Sequence, residues 1–363
     1  MKLGIFSNFG PPHIGGSEKV IEAVSNLLAH QYGYEITLYS FSEKRVFSDG
    51  KIIRKPCLRG QAFIDQINEN DRVWLYSDSF WEYDTLVKNM EKVRPEPSVA
   101  LVGAYEMRSR PDLAEEVEKH RNRINFIVHS ATGDDYKFCQ NRGWEAKVIP
   151  NGVDLAEFVY NKVDFRKKYN IKQKYILLNV SNFFYGKGQE CLGDIGRKLR
   201  EKTEDFVVVS ISHQVSYRYE THFRERCFKS IAKAGIRSMF LRNLPREDVV
   251  GAFKASDVFV FPSRKEVAPL VILEARAAGL PWVSSLVGDV SEQVGGIPIR
   301  FKVLDEKGYG VMQKDQVWHF AAHIWHLLWS DRMRGKAKEE AKIGLAERDW
   351  KQIVPLYNEV FTQ

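Results

Sequence analysis

The sequence predicts an α/β protein of two Rossmann-like domains facing each other across a cleft, each a parallel sheet with crossover helices. Two observations carry this reading. Short apolar strands alternate with helix-length amphipathic segments along the whole chain, the pattern of repeated βαβ units. The chain also has 363 residues, enough for two separate cores of ordinary size.

In the first half, strands are expected at 2–8, 34–40, 72–78, 98–104 and 124–130. Helices fit 17–31, 80–93, 111–120 and 131–142. The segment AKVIPNGVDLAEF then holds a strand and a turn at Pro150-Asn151-Gly152 with little helical character, and reads as the crossing between domains. In the second half, strands fit 175–181, 205–211, 238–244, 257–263 and 281–285, and helices fit 188–203, 217–234, 246–256 and 269–279. The tail from Gln313 onward is helical and rich in tryptophan. The expected division is a first Rossmann-like domain at 1–153, a second at 154–340, and a helix at 341–363 that returns to the first domain.

Hydrophobic content of 44% and charged content of 28% are those of a globular protein in water. No apolar run approaches a membrane span, and MKLGIFSNFG reads as a first strand rather than a signal peptide. Cys57, Cys139, Cys191 and Cys227 are too scattered for a zinc site or a disulfide framework, so a reducing cytoplasm is expected. Up to Pro150 there are 20 Lys and Arg against 21 Asp and Glu, so the net charge of +7 arises in the second half. Residues 195–237 are especially basic. They would suit an anionic membrane surface, a nucleic acid or a charged nucleotide, and equally a set of solvated helix faces.

The most informative stretch is FPSRKEVAPLVILEARAAGLPWVSS, residues 261–285. An apolar strand ends at Phe261, Pro269 suits a helix start, and Gly279-Leu280-Pro281 stops that helix. The N–H groups of Leu270 and Val271 then lie at a positive helix end, suited to a phosphate. Glu266 sits on the loop above and Glu274 one to two turns into the helix. A carboxylate accepts from two vicinal hydroxyls, so the pair could hold the two sugars flanking a diphosphate. An exposed pair of glutamates at a solvated helix start would have the same spacing. Position favours the ligand, because open α/β sheets bind at strand carboxyl ends.

Two further loops follow strands. In FSNFGPPHIGGSEKV (6–20), Gly15 and Gly16 let backbone approach a ligand, and Ser17 could cap a helix starting at Glu18. The spacing is not that of a dinucleotide fingerprint, which argues against a nicotinamide enzyme. In NVSNFFYGKGQECL (179–192), Lys187 and Gly188 open a helix, where an ammonium could neutralise a leaving diphosphate without a metal.

GGSEKV, VIPNGVDLAEF, YGKG, SDVFVFPS and EVAPLVILEARAAGLP occur in the order found in retaining family 4 glycosyltransferases of the GT-B fold, which the chain resembles over nearly its full length. The resemblance implies that Gly15, Gly16 and Lys187 lie near the donor diphosphate, that Glu266 holds the donor sugar and that Glu274 binds the nucleotide ribose. It places the base near Asn243 and Leu244. Three departures stand out. Asn182 occupies the position of a usual arginine, Val267-Ala268-Pro269 replaces a glycine-rich loop, and the segment GAYEMRSR lacks a usual histidine. Either Tyr105 or Glu106 stands in there or the acceptor site differs; His13 and His129 are nearby in sequence, with structural roles expected of both.

His319, His323 and His326 share helical spacing, but no carboxylate or cysteine joins them, and Trp318, Trp325, Leu328 and Trp329 suggest a packed aromatic helix rather than a metal site. The expected activity is retaining, metal-independent sugar transfer from a nucleotide diphosphate sugar, with no cofactor. Lys187, Glu266 and Glu106 are the catalytic candidates. Asn182, Gly188, Asn243, Leu244, Pro269, Leu270, Val271 and Glu274 join Gly15 and Gly16 in donor binding. The acceptor would be a cell-surface or lipid-linked glycan, which a cytoplasmic protein could meet at the inner membrane surface. Modified bases in DNA are the alternative acceptor, and a nucleotide-sugar-binding protein without catalysis is the other reading.

Overall fold

In a computed structural model of the chain, the structure describes residues 1–10, 15–77, 79–102, 105–213 and 218–363, with side chains at all of these except 105, 106 and 218–220. The chain divides into two compact units, Met1–Gly152 with Trp350–Gln363, and Val153–Asp349. Residues 341–349 thus fall in the second unit.

The first unit has eight strands: β1 (Lys2–Ser7), β2 (Glu35–Ser40), β3 (Phe47–Asp49), β4 (Ile52–Pro56), β5 (Arg72–Tyr76), β6 (Pro97–Leu101), β7 (Asn125–Val128) and β8 (Ala146–Val148). Their order in the sheet is β3-β4-β2-β1-β5-β6-β7-β8, parallel except for the β3–β4 pair. β1 is central, paired on both edges with β2 and β5, and Leu3, Ile5 and Phe6 are fully buried, as in a parallel sheet with crossover helices on its faces. The helix Gly16–Gln31 turns Val20, Ile21, Val24 and Leu28 inward. The helix Trp350–Thr362 packs beside it, with Tyr357 against Trp74 at 5.1 Å between ring centroids. Tyr34 Oη donates to Asn358 Oδ1 at 2.8 Å and fixes the register of that contact.

The second unit has six strands: β9 (Tyr175–Val180), β10 (Phe206–Ser212), β11 (Ser238–Arg242), β12 (Val258–Phe261), β13 (Trp282–Ser285) and β14 (Gly296–Ile299). They are all parallel, in the order β11-β10-β9-β12-β13-β14. The strand order reverses between β9 and β12, which makes a crevice at their carboxyl ends. The core beneath is built from Leu177, Val208, Val260 and Val283 on the strands with Leu192, Ile195, Phe320 and Ile324 on the helices.

The fold differs from expectation in several local places. β3, β4 and β14 are additional strands, and the segment expected to have little helical character contains the helix Leu155–Tyr160. Asp154 caps that helix by accepting from Ala156 N–H at 2.9 Å. Its first helical residue is Leu155, and Gly15, not Ser17, is the N-cap of the helix that begins at Gly16. Trp318 and Trp329 are 53% and 71% exposed, so the helix Lys314–Trp329 is not wrapped in aromatic packing; Leu328 is buried as expected. Among the described residues, no helix is long and apolar enough to cross a membrane.

Candidate functional site

The crevice between β9 and β12 is built by two loops that lock into each other. After β9 the chain makes a short 3-10 turn, Tyr185–Lys187, and leaves it through Gly188 at φ +64°. A Cβ on Gly188 would lie 2.1 Å from Pro262 O, so only glycine lets these loops approach. From the other loop, Ser263 Oγ donates to Gly186 O at 2.9 Å and Arg264 N–H donates to the same carbonyl at 2.7 Å. The buried Arg264 guanidinium then donates to Glu190 Oε1 at 2.5 Å and to Gly310 O at 3.1 Å, with its carbon 4.5 Å from the Tyr185 ring centroid.

This strapping brings Lys187 and Glu266 together although they are 79 residues apart. Lys187 Nζ donates to Glu266 Oε1 at 2.7 Å, and the single Ser263 hydroxyl proton is shared between that oxygen, at 2.5 Å, and Gly186 O. Three residues on, Pro269 is the N-cap of the helix Leu270–Ala277, one position earlier than a first-turn proline. Ile272 N–H bonds to Pro269 O at 3.1 Å. Leu270 and Val271 therefore occupy the first turn, whose N–H groups have no intrahelical acceptor.

Glu274 is 3% exposed on that helix, and Arg246 Nη1 lies 2.7 Å from its Oε1. Arg246 also donates to Glu157 Oε2 from Nε at 2.9 Å and Nη2 at 2.6 Å. Burial disfavours its charge, but Glu274 and Glu157 outweigh that and hold Arg246 above the ordinary arginine range. Asn243, three residues earlier, takes a left-handed φ of +52° and donates its N–H to Ser212 O at 3.0 Å. That turn directs Leu244 and Arg246 off the end of β11. Asn182 Oδ1 accepts from His213 N–H at 3.1 Å and its carbonyl accepts from Gln189 Nε2 at 2.9 Å. It ties loops together where the resemblance has a cation.

In the first unit, Gly15 is extended at φ −130°, and a Cβ there would meet Glu18 Oε2 at 2.5 Å. Gly16 is the first residue of the following helix. Asn8 joins the carboxyl ends of β1 and β5, donating to Ser79 O and accepting from Trp81 N–H, both at 3.0 Å. Ser77, between them, has a φ of +128°, a strained conformation for a residue with a Cβ. Tyr105 and Glu106 begin the helix Tyr105–Ser109 after β6, and their side chains lie outside the described residues, as does all of His13. His129 is buried, bonds Ile149 O through Nδ1 at 2.9 Å, and is kept neutral by burial.

Other polar groups take structural parts. Among the described residues, no group of three or more His, Cys, Asp and Glu side chains could hold a metal ion. The four cysteines are buried and unbridged, and burial pushes the Cys57, Cys139 and Cys191 thiols up to about 12. In the basic 195–237 stretch, Arg197, Lys198 and Arg200 pair with Asp194, Glu201 and Glu204 one turn away. That is the pattern of a solvated helix face.

Sequence reasoning missed Arg246, Ser263 and Arg264. The one local signal was Arg246 itself, a cation in the first turn of the helix Arg246–Ala255 where the dipole disfavours it.

Known proteins resemble this chain. An uncharacterized glycosyltransferase of Methanocaldococcus jannaschii is 30% identical over 192 residues, covering 50% of this chain and 47% of its own. The UDP-Gal:alpha-D-GlcNAc-diphosphoundecaprenol alpha-1,3-galactosyltransferase of Escherichia coli is 29% identical, covering 46% of this chain and 47% of its own. The chain thus spans about half the length of the curated relatives it matches. Anabaena HepE, solved with UDP-glucose, aligns with a TM-score of 0.78 at 16% identity over 100% of this chain and 99% of its own, which shows the fold to be GT-B. The family model of glycosyl transferases group 1 matches residues 161–343, half of the chain, and the chain belongs to that family.

Proposed function

We propose that the protein transfers a sugar from a nucleotide diphosphate sugar to an acceptor hydroxyl with retention of anomeric configuration and without a metal. The observation that carries this reading is the Lys187–Glu266 pair at the β9–β12 crevice, beside the first turn of the helix Leu270–Ala277. Lys187 and the Leu270 and Val271 amides neutralise the charge that grows on the leaving diphosphate. Glu266, held by Ser263, orients the sugar hydroxyls, and Glu274 takes the ribose hydroxyls with Arg246 fixing its carboxylate. Asn243 and Leu244 border the base. Gly15 and Gly16 supply close backbone on the acceptor-side unit.

In the reaction, the bond from the anomeric carbon to the phosphate oxygen breaks and a bond to the acceptor oxygen forms on the same face. The acceptor proton goes to the departing phosphate oxygen or to Glu106, the acceptor-side base in this reading. No protein nucleophile is needed. A lipid-linked glycan is the acceptor class, by likeness to the galactosyltransferase of Escherichia coli, and a cytoplasmic protein meeting such an acceptor at the inner membrane surface fits it. A thermal-shift panel of nucleotide sugars tests the reading, because a ligand of the folded state raises stability by mass action. A rise with one nucleotide's sugars supports it; no rise with any of them counts against it.

A further inference from the structure

Asp289 lies in the 3-10 turn Gly288–Glu292 and is 2% exposed. Its N–H donates to the carbonyl of Val267, the residue after Glu266, at 2.8 Å. Gly288 is pressed into the same loop at φ +57°, where a Cβ would lie 2.3 Å from Val267 O and 2.9 Å from the Glu266 carbonyl carbon. Asp289 Oδ2 accepts from Gln293 Nε2 at 2.9 Å, while among the described residues its buried Oδ1 has no hydrogen-bond partner. Gln293 Oε1 accepts from Arg276 Nη1 at 2.7 Å, and Arg276 is anchored by Ala341 O and Ile343 O. Arg276 stands two residues after Glu274 on the same helix. One buried polar chain therefore links the loop of Glu266 to the helix of Glu274.

The charges facing Asp289 are mixed. Glu292 on its own turn and Glu266 across the loop oppose ionisation, whereas Arg348 and Arg276 favour it. Burial, reinforced by Glu292, raises its carboxyl to about 7. A buried carboxylate with an oxygen lacking a partner is costly when charged and tolerable when protonated.

We propose that Asp289 is a positioning residue for Glu266: uncharged, it lets the Gly288–Glu292 turn seat against the loop at Glu266 and Val267, and ionised, it loosens that seat. The effect on donor binding rests on the donor-site reading above; the seat itself does not. An ionised Asp289 regains water only when the turn lifts, and a lifted carboxyl titrates normally. The ratio of seated to lifted forms should then fall about tenfold between pH 6 and pH 8.

Hydrogen exchange on peptides covering 264–270 and 286–293 tests the seat, comparing the full-length chain with Asp289→Asn at each pH so that intrinsic exchange chemistry cancels. The wild-type-to-variant rate ratio should rise about tenfold from pH 6 to pH 8. A ratio that stays flat overturns the proposal. Asp289→Leu gives a second uncharged replacement should the Asn variant fold poorly. In parallel, UDP, GDP and ADP are titrated at both pH values, and wild-type affinity for the one that binds should fall more than that of the variant. If exchange shifts but none of the three nucleotides binds either protein at either pH, the seat stands and the donor-site reading fails. If nucleotide binds with the same pH dependence in both proteins, the donor site stands and the positioning role of Asp289 is overturned.

Discussion

Arg246 reaches Glu274 with Nη1 at 2.7 Å while its Nε and Nη2 hold Glu157, so one guanidinium fixes a buried carboxylate across two helices. Arg246→Gln removes the cation facing that carboxylate. It should lower stability by roughly 2–3 kcal/mol and weaken nucleoside diphosphate binding about tenfold, because the carboxylate then shifts or takes a proton. Denaturant unfolding beside calorimetry checks both effects. Wild-type affinity in a folded Arg246→Gln protein would remove Arg246 from the site.

Gly188→Ala tests the interlocking of the two loops. Its φ of +64° and the Pro262 carbonyl oxygen, 2.1 Å from where a Cβ would sit, both oppose any side chain. Strain and overlap together should lower stability by ~2–4 kcal/mol. A thermal melt that does not move would show that the two loops can separate without consequence.

Lys187→Ala should leave the melting temperature within a few degrees and reduce turnover by about two to three orders of magnitude, since its ammonium acts on charge that grows in the transition state. Steady-state transfer or donor hydrolysis, measured with excess EDTA and again with magnesium restored, is the assay. Wild-type activity should survive the chelator. Loss with EDTA and recovery with magnesium would assign the neutralising role to a metal.

Much of this site was legible because its parts are local. Strand, break, helix start and the Glu266 to Glu274 spacing all lie within residues 261–285, and the Lys187-Gly188 turn follows a strand end. Arg264 and Arg246 were illegible for the opposite reason. Arg264 finds Glu190 at a separation of 74 residues and Arg246 finds Glu157 at 89, and only folding pairs them. β14 was missed because GIPI carries a glycine and a proline in four residues, against strand propensity. The helix Leu155–Tyr160 is different: Asp154 and Glu157 give a capping pattern that the preceding Pro-Asn-Gly turn masks.

Asp289→Asn has a pH signature in stability as well. A folded-state carboxyl raised to about 7 binds a proton that the unfolded chain has already released. The wild type is therefore unpenalised below about pH 4, loses stability as pH rises toward 7, and carries the full penalty above it, up to ~4 kcal/mol. The Asn variant lacks this effect, so its stability relative to wild type should climb between pH 5 and pH 8. Unfolding curves at both pH values measure the difference, and a constant offset would show that Asp289 titrates normally.

The most direct test of the donor site is calorimetric titration of UDP, GDP and ADP into the wild type and Glu274→Ala. One nucleoside diphosphate should bind the wild type, and Glu274→Ala should weaken it at least about thirtyfold while retaining a cooperative unfolding transition, because ribose hydroxyls lose a buried acceptor. Equal affinity in the two proteins, or no binding by the wild type, would contradict a nucleotide-sugar site at the β9–β12 crevice.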